Sequence, residues 1–246
     1  MTSFFTLLIL MAIVVGIVLL CVLTQRFRHW FWLLLASQIP MTLLSIFMSI
    51  NQNYGRSLLG DSLEIIIWAA AVGTFIWLAY RAARKYNVIP PFNMKFFRWG
   101  RMFIGLLMLY FSSLLVNIVT VMLTNSAAST QNQASLDTLA LQIPFIIYFL
   151  SVILAGFFEE LVFRVGIFEI LLPKHQNWAF IVSVILFTAA HGPTDWPSLF
   201  IYGFYAIILG AFYYKYRNYY LNMSIHMLLN LVGVTTFFLS QFLHMF

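Results

Sequence analysis

The stretch LALQIPFIIYFLSVILAGFFEELVFRVGIFEILL, residues 139–172, determines how the rest of the sequence is interpreted. It is an almost unbroken apolar run, longer than the roughly 20 residues with which an α-helix crosses a bilayer. Within it, GFFEELVFR at residues 156–164 carries two adjacent carboxylates and a guanidinium. Because charges inside a membrane span are costly and often functional, these three need either a structural or a chemical explanation.

The composition of the whole chain is that of a membrane protein. Of its 246 residues, 63% are hydrophobic and 8% are charged, and the mean hydropathy is +0.93. Soluble globular domains do not have such values. We predict an all-α, polytopic transmembrane helix bundle, a single membrane domain over residues 1–246 with a motif-bearing catalytic half at 139–246. The predicted spans are 4–24, 31–50, 63–80, 102–123, 139–172, 178–191, 197–214 and 221–243. Because the fifth is long and the sixth short, the count is about eight, with seven possible.

The net charge of +6 is explained by membrane topology. Eleven of the 13 basic residues follow spans one, three, five and seven, whereas the loop at 124–138 contains neither Lys nor Arg. Basic loops remain on the cytoplasmic side of a membrane. We therefore predict that both termini are extracytoplasmic. The partner that this charge indicates is the lipid bilayer, and no nucleic-acid partner is expected.

Two carboxylates lie deep in the fifth predicted span. Counted back from Pro173, Glu160 is about 20 Å inside the helix at 1.5 Å per residue. Glu160 and Arg164 are spaced i,i+4 and can form an ion pair on one face, which offsets much of the cost of burying them. Glu159 points about 100° away and has no such partner on its own helix. An ion pair with Arg164 explains the presence of Glu160, but it does not explain the presence of Glu159.

Two further i,i+4 pairs occur downstream. Phe187 and His191 end the sixth span, where Gly192-Pro193 stops the helix, and His226 and Asn230 lie early in the last span. We expect His191 at nearly the depth of Glu159, and His226 at a shallower level. Singly, each histidine is better explained as an interhelical contact, and the carboxylate pair is equally well explained as a salt-bridge node. Together they supply a base, a group that orients it and donors for an oxyanion, the requirements for adding water to a carbonyl.

Three motifs in this half carry a family resemblance. EELVFR (159–164) fits EExxxR, FTAAH (187–191) fits FxxxH and HMLLN (226–230) fits HxxxN. In this order they resemble the CAAX protease and bacteriocin-processing (CPBP/Abi) family of intramembrane glutamate endopeptidases. The resemblance covers about 75 residues, and residues 1–130 match only as generic spans.

The resemblance implies a role for each motif residue. Glu159 would be the general base and would activate water together with His191. His226 and Asn230 would stabilise the oxyanion. The supporting residues would be Glu160 and Arg164, as a structural ion pair, and Phe187, as packing.

The resemblance also implies a reaction without a cofactor. Two Glu and two His could hold Zn²⁺, but the HExxH helix of zinc proteases is absent, so we disfavour zinc. No GxSxG-type serine is present, and Asp61, Asp137 and Asp195 all lie near predicted span ends, which disfavours serine and aspartyl intramembrane proteases.

Other functional classes remain open. The main alternative is a non-catalytic membrane partner, for bacteriocin self-immunity or sensor-kinase regulation. A proton-coupled transporter is also possible, although the sequence lacks the related halves of such proteins. For an endopeptidase, the expected partner is a membrane-associated peptide or protein, such as a bacteriocin or pheromone precursor. The small size favours a multi-pass protein of a bacterial cell membrane.

Overall fold

The computed structural model describes residues 16, 17, 20, 24–125 and 138–243, and within these ranges it is helical with no strand. The all-α, polytopic bundle predicted above is therefore confirmed. One short 3₁₀ turn, Met94–Phe96, lies between α3 and α4. The helices are α1 (Gln25–Ser37), α2 (Ile39–Tyr54), α3 (Leu58–Lys85), α4 (Trp99–Thr124), α5 (Phe145–Glu159), α6 (Gln176–Ala190), α7 (Trp196–Tyr216) and α8 (Tyr219–Leu243).

Six helical stretches among the described residues are long and apolar enough to cross a membrane. The first is α1 and α2 taken together, Gln25–Tyr54, which replaces the shorter span predicted at 31–50. The helix at Gln176–Ala190 is apolar but shorter than a full crossing. The predicted span at 4–24 lies almost entirely outside the described residues.

The fifth predicted span is not a uniform α-helix. It begins at Phe145, after Pro144, and from Glu160 to Leu171 it continues as a π-helix. A π-helix forms i→i+5 hydrogen bonds, so it places more residues in each turn than an α-helix does. Glu160 consequently lies nearer the end of the bundle than the α-helical count of about 20 Å indicates. The π-helix was not predicted from the sequence.

The π-helix lies at the centre of the bundle and packs against α1, α6 and α8. Its residues from Glu160 to Phe168 are all buried. On the α1 side, the indole of Trp30 donates a hydrogen bond of 3.1 Å to the backbone carbonyl of Val162. A Cβ added at Gly166 would lie 2.7 Å from the same indole, so this glycine lets α1 approach closely.

A second glycine sets the distance between α5 and α8. A Cβ at Gly156 would lie 3.0 Å from the backbone nitrogen of Met227 and 3.3 Å from the carbonyl carbon of His226. Backbone atoms cannot swing aside as a flexible side chain can. Gly156 therefore permits the close contact that brings His226 next to the end of α5.

We predict that Gly156→Ala destabilises the protein by about 1–3 kcal/mol, because the added methyl overpacks this helix contact. Gly233→Ala is the matched control, since Gly233 lies on α8 with nothing within 4 Å of an added Cβ. The measurement is the free energy of unfolding in mixed micelles during denaturing-detergent titration. Equal stability of the two variants would contradict the close contact.

Candidate active site

Glu159 lies between two imidazole rings. Its Oε2 atom is 3.7 Å from Nε2 of His191 and 3.7 Å from Nε2 of His226. The same oxygen is buried and has no hydrogen-bond partner among the described residues. The structure thus brings the unpaired carboxylate and both histidines together. His226, expected to lie shallower, is as close to Glu159 as His191 is.

His191 is held in place at the end of α6. It is the C-terminal capping residue of that helix, and its Nδ1 lies 2.8 Å from the carbonyl oxygen of Phe187. Because a carbonyl oxygen only accepts hydrogen bonds, Nδ1 carries the hydrogen, and in the neutral ring Nε2 presents its lone pair towards Glu159. The imidazole lies between Phe187 (ring centroids 4.5 Å apart) and Tyr202 of α7 (4.4 Å, nearly parallel).

Glu160 points into the protein and is fully buried. Its Oε1 lies 3.0 Å from Nδ1 of His226, and its Oε2 accepts a hydrogen bond of 3.1 Å from Asn222 and lies 3.3 Å from Nε of Arg164. The predicted i,i+4 ion pair is therefore present, even though the helix at this point is π-helical. Because an ionised carboxylate only accepts, His226 donates from Nδ1 and its Nε2 is directed to Glu159.

The guanidinium of Arg164 has a second contact, with an aromatic ring. Its central carbon lies 4.4 Å from the ring centroid of Phe187, and the side chain is fully buried. A cation over the face of an aromatic ring is stabilised by the ring quadrupole, most strongly where water is excluded. Phe187 thus contacts Arg164 as well as His191, which links the ion pair to the site.

Asn230 lies one turn beyond His226 on α8. Its side-chain amide donates a hydrogen bond of 2.9 Å to the backbone carbonyl of Val152 on α5. Among the described residues, this is the hydrogen bond that the Asn230 side chain forms, and the side chain forms none with Glu159. An amide nitrogen carries two hydrogens, so the second is available for another acceptor.

Two site residues were not identified from the sequence. Asn222 donates to Glu160 and also to the carbonyl of Leu209, at 2.7 Å. It precedes His226 by four residues, and that i,i+4 spacing is the signal that could have found it. Tyr202 stacks on His191, but nothing in its local sequence distinguishes it from other tyrosines of the chain.

The remaining described acidic residues have structural partners. Glu169 accepts hydrogen bonds from Arg217 (2.8 Å) and Tyr213 (3.0 Å). Glu64 is buried in α3 and accepts a hydrogen bond from Asn51. Within the described ranges, no group of three or more His, Cys, Asp or Glu side chains is arranged to hold a metal ion.

We predict that Arg164→Leu destabilises the protein by about 3–5 kcal/mol, because it leaves the buried Glu160 charge without its cation. Arg56→Leu, which removes the exposed partner of Asp61, should cost about 1 kcal/mol or less. Both values are measured as free energies of unfolding in mixed micelles.

The double variant Glu160→Gln/Arg164→Leu tests the cause of this loss. It removes the uncompensated charge and should be more stable than Arg164→Leu alone. If it is no more stable, lost packing of the long arginine side chain explains the effect and the electrostatic interpretation is wrong.

Comparison with known proteins agrees with the three motifs. A family model described as Type II CAAX prenyl endopeptidase Rce1-like matches residues 141–232, which contain every predicted site residue. The chain is also 36% identical over 205 residues to the UPF0177 protein YvdC of Lactococcus lactis subsp. lactis (strain IL1403), covering 83% of this chain and 76% of that protein. No solved structure matches. The chain is therefore a multi-pass membrane protein that belongs to the CAAX protease and bacteriocin-processing family.

Proposed function

We propose that this chain is an intramembrane endopeptidase that hydrolyses a peptide bond with a water molecule activated by Glu159. The observation that carries the proposal is the buried, unpartnered Oε2 of Glu159, 3.7 Å from Nε2 of both His191 and His226. The family match adds support, because Rce1-like proteins are described as CAAX prenyl endopeptidases.

The first step is attack by water. A separation of 3.7 Å is too long for a direct hydrogen bond, but one water molecule can bind both Glu159 and His191 across it. The lone pair on Nε2 of His191 accepts one water hydrogen and orients the oxygen. Glu159 takes the other hydrogen as the water oxygen attacks the peptide carbonyl carbon. The product is a tetrahedral intermediate with one negative oxygen.

The second step needs donors for that oxygen. His226 already donates from Nδ1 to Glu160, so it donates from Nε2 as well only when it is an imidazolium. With that imidazolium present, the formal charges of Glu159, Glu160, Arg164 and His226 sum to zero. The second amide hydrogen of Asn230 is the other donor that we assign. Collapse of the intermediate breaks the C–N bond, and Glu159 returns its proton to the leaving amine.

We further propose that the reaction needs no metal ion. Glu160 already accepts a hydrogen bond from Nδ1 of His226, and the backbone carbonyl of Phe187 accepts one from Nδ1 of His191. The groups that remain for a metal ion are the carboxylate of Glu159 and the Nε2 atoms of the two histidines. Zinc proteases also use two histidines and a glutamate, so removal of metal ions separates the two mechanisms.

The substrate class follows from the location of the site in the membrane. We propose a membrane-associated peptide or protein, with a bacteriocin or pheromone precursor as the expected kind in a bacterial cell membrane. The basic loops would face the cytoplasm and both termini would be extracytoplasmic. A non-catalytic role in self-immunity or sensor-kinase regulation is the competing hypothesis.

We predict that Glu159→Gln lowers the cleavage rate by about 10²–10⁴-fold, because glutamine cannot accept the proton from water. The protein is reconstituted in liposomes with an internally quenched, prenylated CAAX peptide and a pool of hydrophobic leader peptides, and the products are identified by mass spectrometry. Glu169→Gln is the control, since Glu169 pairs with Arg217 away from the site. Cleavage by Glu159→Gln at the wild-type rate would contradict the proposed role of Glu159. The non-catalytic hypothesis is also favoured if wild-type protein cleaves none of these peptides while its gene confers a phenotype that the Glu159→Gln variant retains.

We predict that cleavage survives removal of divalent metals. Purified protein is dialysed against a strong zinc chelator, its metal content is measured by elemental analysis, and its rate is compared with that of undialysed protein. A rate that falls with the zinc content and returns when zinc is added would show that the metal-independent mechanism is wrong.

A further inference from the structure

An apolar groove lies on the far side of α5 from Glu159. Its volume is about 390 Å³, within the range of roughly 300–1,000 Å³ that ligand pockets occupy. Ile76 of α3 forms one wall, Met223 and Met227 of α8 form the other, and Leu154 of α5 lies at its base. Both α3 and α8 pack on α5, so the groove runs between two membrane helices along a third.

One end of the groove is bordered by hydrogen-bonded tyrosines and is closed by the chain between α3 and α4. The hydroxyl of Tyr220 donates to the carbonyl of Pro90 at 2.8 Å, and the backbone nitrogen of Phe92 donates to the hydroxyl of Tyr80 at 3.2 Å. Tyr80, Phe92 and Tyr220 all line the groove. Tyrosines are typical of the level at which acyl chains meet headgroups, which places this end at the membrane surface.

The surface around this end carries uncompensated positive charge. Residues 65–136 contain six Lys or Arg residues and no Asp or Glu. None of the six forms an ion pair with a carboxylate in the described part of the chain. Lys95 and Arg98 are exposed and follow Phe92 closely, beside Met94 and Trp99, which are 63% and 69% exposed. The rim of the groove is therefore both basic and apolar.

We propose that the groove binds an anionic phospholipid of the surrounding bilayer, with an acyl chain between α3 and α8 and its phosphate beside Lys95 and Arg98. From Tyr220 to Met227 the groove follows two helical turns, about 10 Å, which accommodates the upper part of an acyl chain. Basic clusters next to a membrane helix are typical of sites for acidic headgroups.

The lining distinguishes a lipid from a peptide. Below the two tyrosine hydroxyls, the groove is lined by hydrocarbon, aromatic and thioether side chains. An extended peptide in this position would leave its backbone N–H and C=O groups without hydrogen bonds, at a cost of several kcal/mol each. An acyl chain has no such groups. This site is separate from the proposed peptidase site and does not depend on it.

The test measures lipid retention. The full chain is reconstituted in nanodiscs of equimolar phosphatidylglycerol and phosphatidylcholine, and the lipids that remain bound after release are counted by native mass spectrometry. Wild-type protein should retain phosphatidylglycerol in preference. Lys95→Gln/Arg98→Gln should reduce that preference roughly fivefold per charge removed, given about 1 kcal/mol for each basic residue. Lys174→Gln/Lys215→Gln removes the same charge outside the basic segment 65–136 and should leave the preference unchanged.

A second pair of variants tests the groove itself. Met223→Trp should abolish retention by filling the groove, and Ile76→Trp fills it from the opposite wall should the first variant not fold. The control is Leu115→Trp, which adds an indole on α4 at a residue that is 57% exposed.

Three results would overturn the proposal. They are equal retention of the two lipids by wild-type protein, full retention by the groove-filling variants, and an equal loss in the Lys174/Lys215 control. If Met223→Trp keeps its lipid but loses peptide cleavage, the groove binds the peptide substrate instead.

Discussion

Burying the charge of Glu160 is the constraint on which the site depends. A charge at the centre of a membrane helix costs roughly 2.5–3.5 kcal/mol on insertion scales, and this carboxylate is fully buried. Arg164 on the same helix offsets part of the cost, while Asn222 and His226 supply hydrogen bonds from α8. Because those two donors belong to another helix, both oxygens of the carboxylate have hydrogen-bond donors only when α8 packs against α5. The docking that satisfies Glu160 also directs Nε2 of His226 towards Glu159.

Adjacent carboxylates therefore meet very different surroundings. Glu160 has a partner for each oxygen, whereas Oε2 of Glu159 has none among the described residues, and the Glu159 side chain is 25% exposed. Successive residues of a helix point in different directions, so one motif can place a structural charge beside the charge that we propose to be reactive. The surroundings of Glu160 then position Glu159 without contacting its Oε2 atom. This arrangement suits a group that must exchange protons with water and substrate.

The sequence predicted those parts of the site that depend on local spacing. In an apolar chain a few charges are conspicuous, and the i,i+4 rule paired Glu160 with Arg164 correctly. Asn222 was overlooked although it is spaced i,i+4 from His226, because the carboxylate that it binds is 62 residues away, and Tyr202 was overlooked because its partner is on another helix. The π-helix was also missed, since the contact of Trp30 with Val162 that accompanies it joins residues 132 apart. The depth of His226 relative to Glu159 was also wrong, because the depth of the two carboxylates was counted with an α-helical rise through Glu160–Leu171, which is π-helical.

The two faces of α5 connect the proposed lipid site with the proposed peptidase site. Phe157, which lines the groove, and Glu159 are two residues apart, or about 200° around an α-helix, so they lie on nearly opposite faces. Gly156 holds the same helix against the backbone of α8 at Met227, a groove residue next to His226 in the chain. A molecule in the groove would thus contact two of the three helices that carry the site while touching neither Glu159 nor the imidazole of His226. If a molecule in the groove shifted α8 against α5, the position of the carboxylate relative to the imidazole would change with it. The geometry of a site buried in lipid would then depend on the lipid itself.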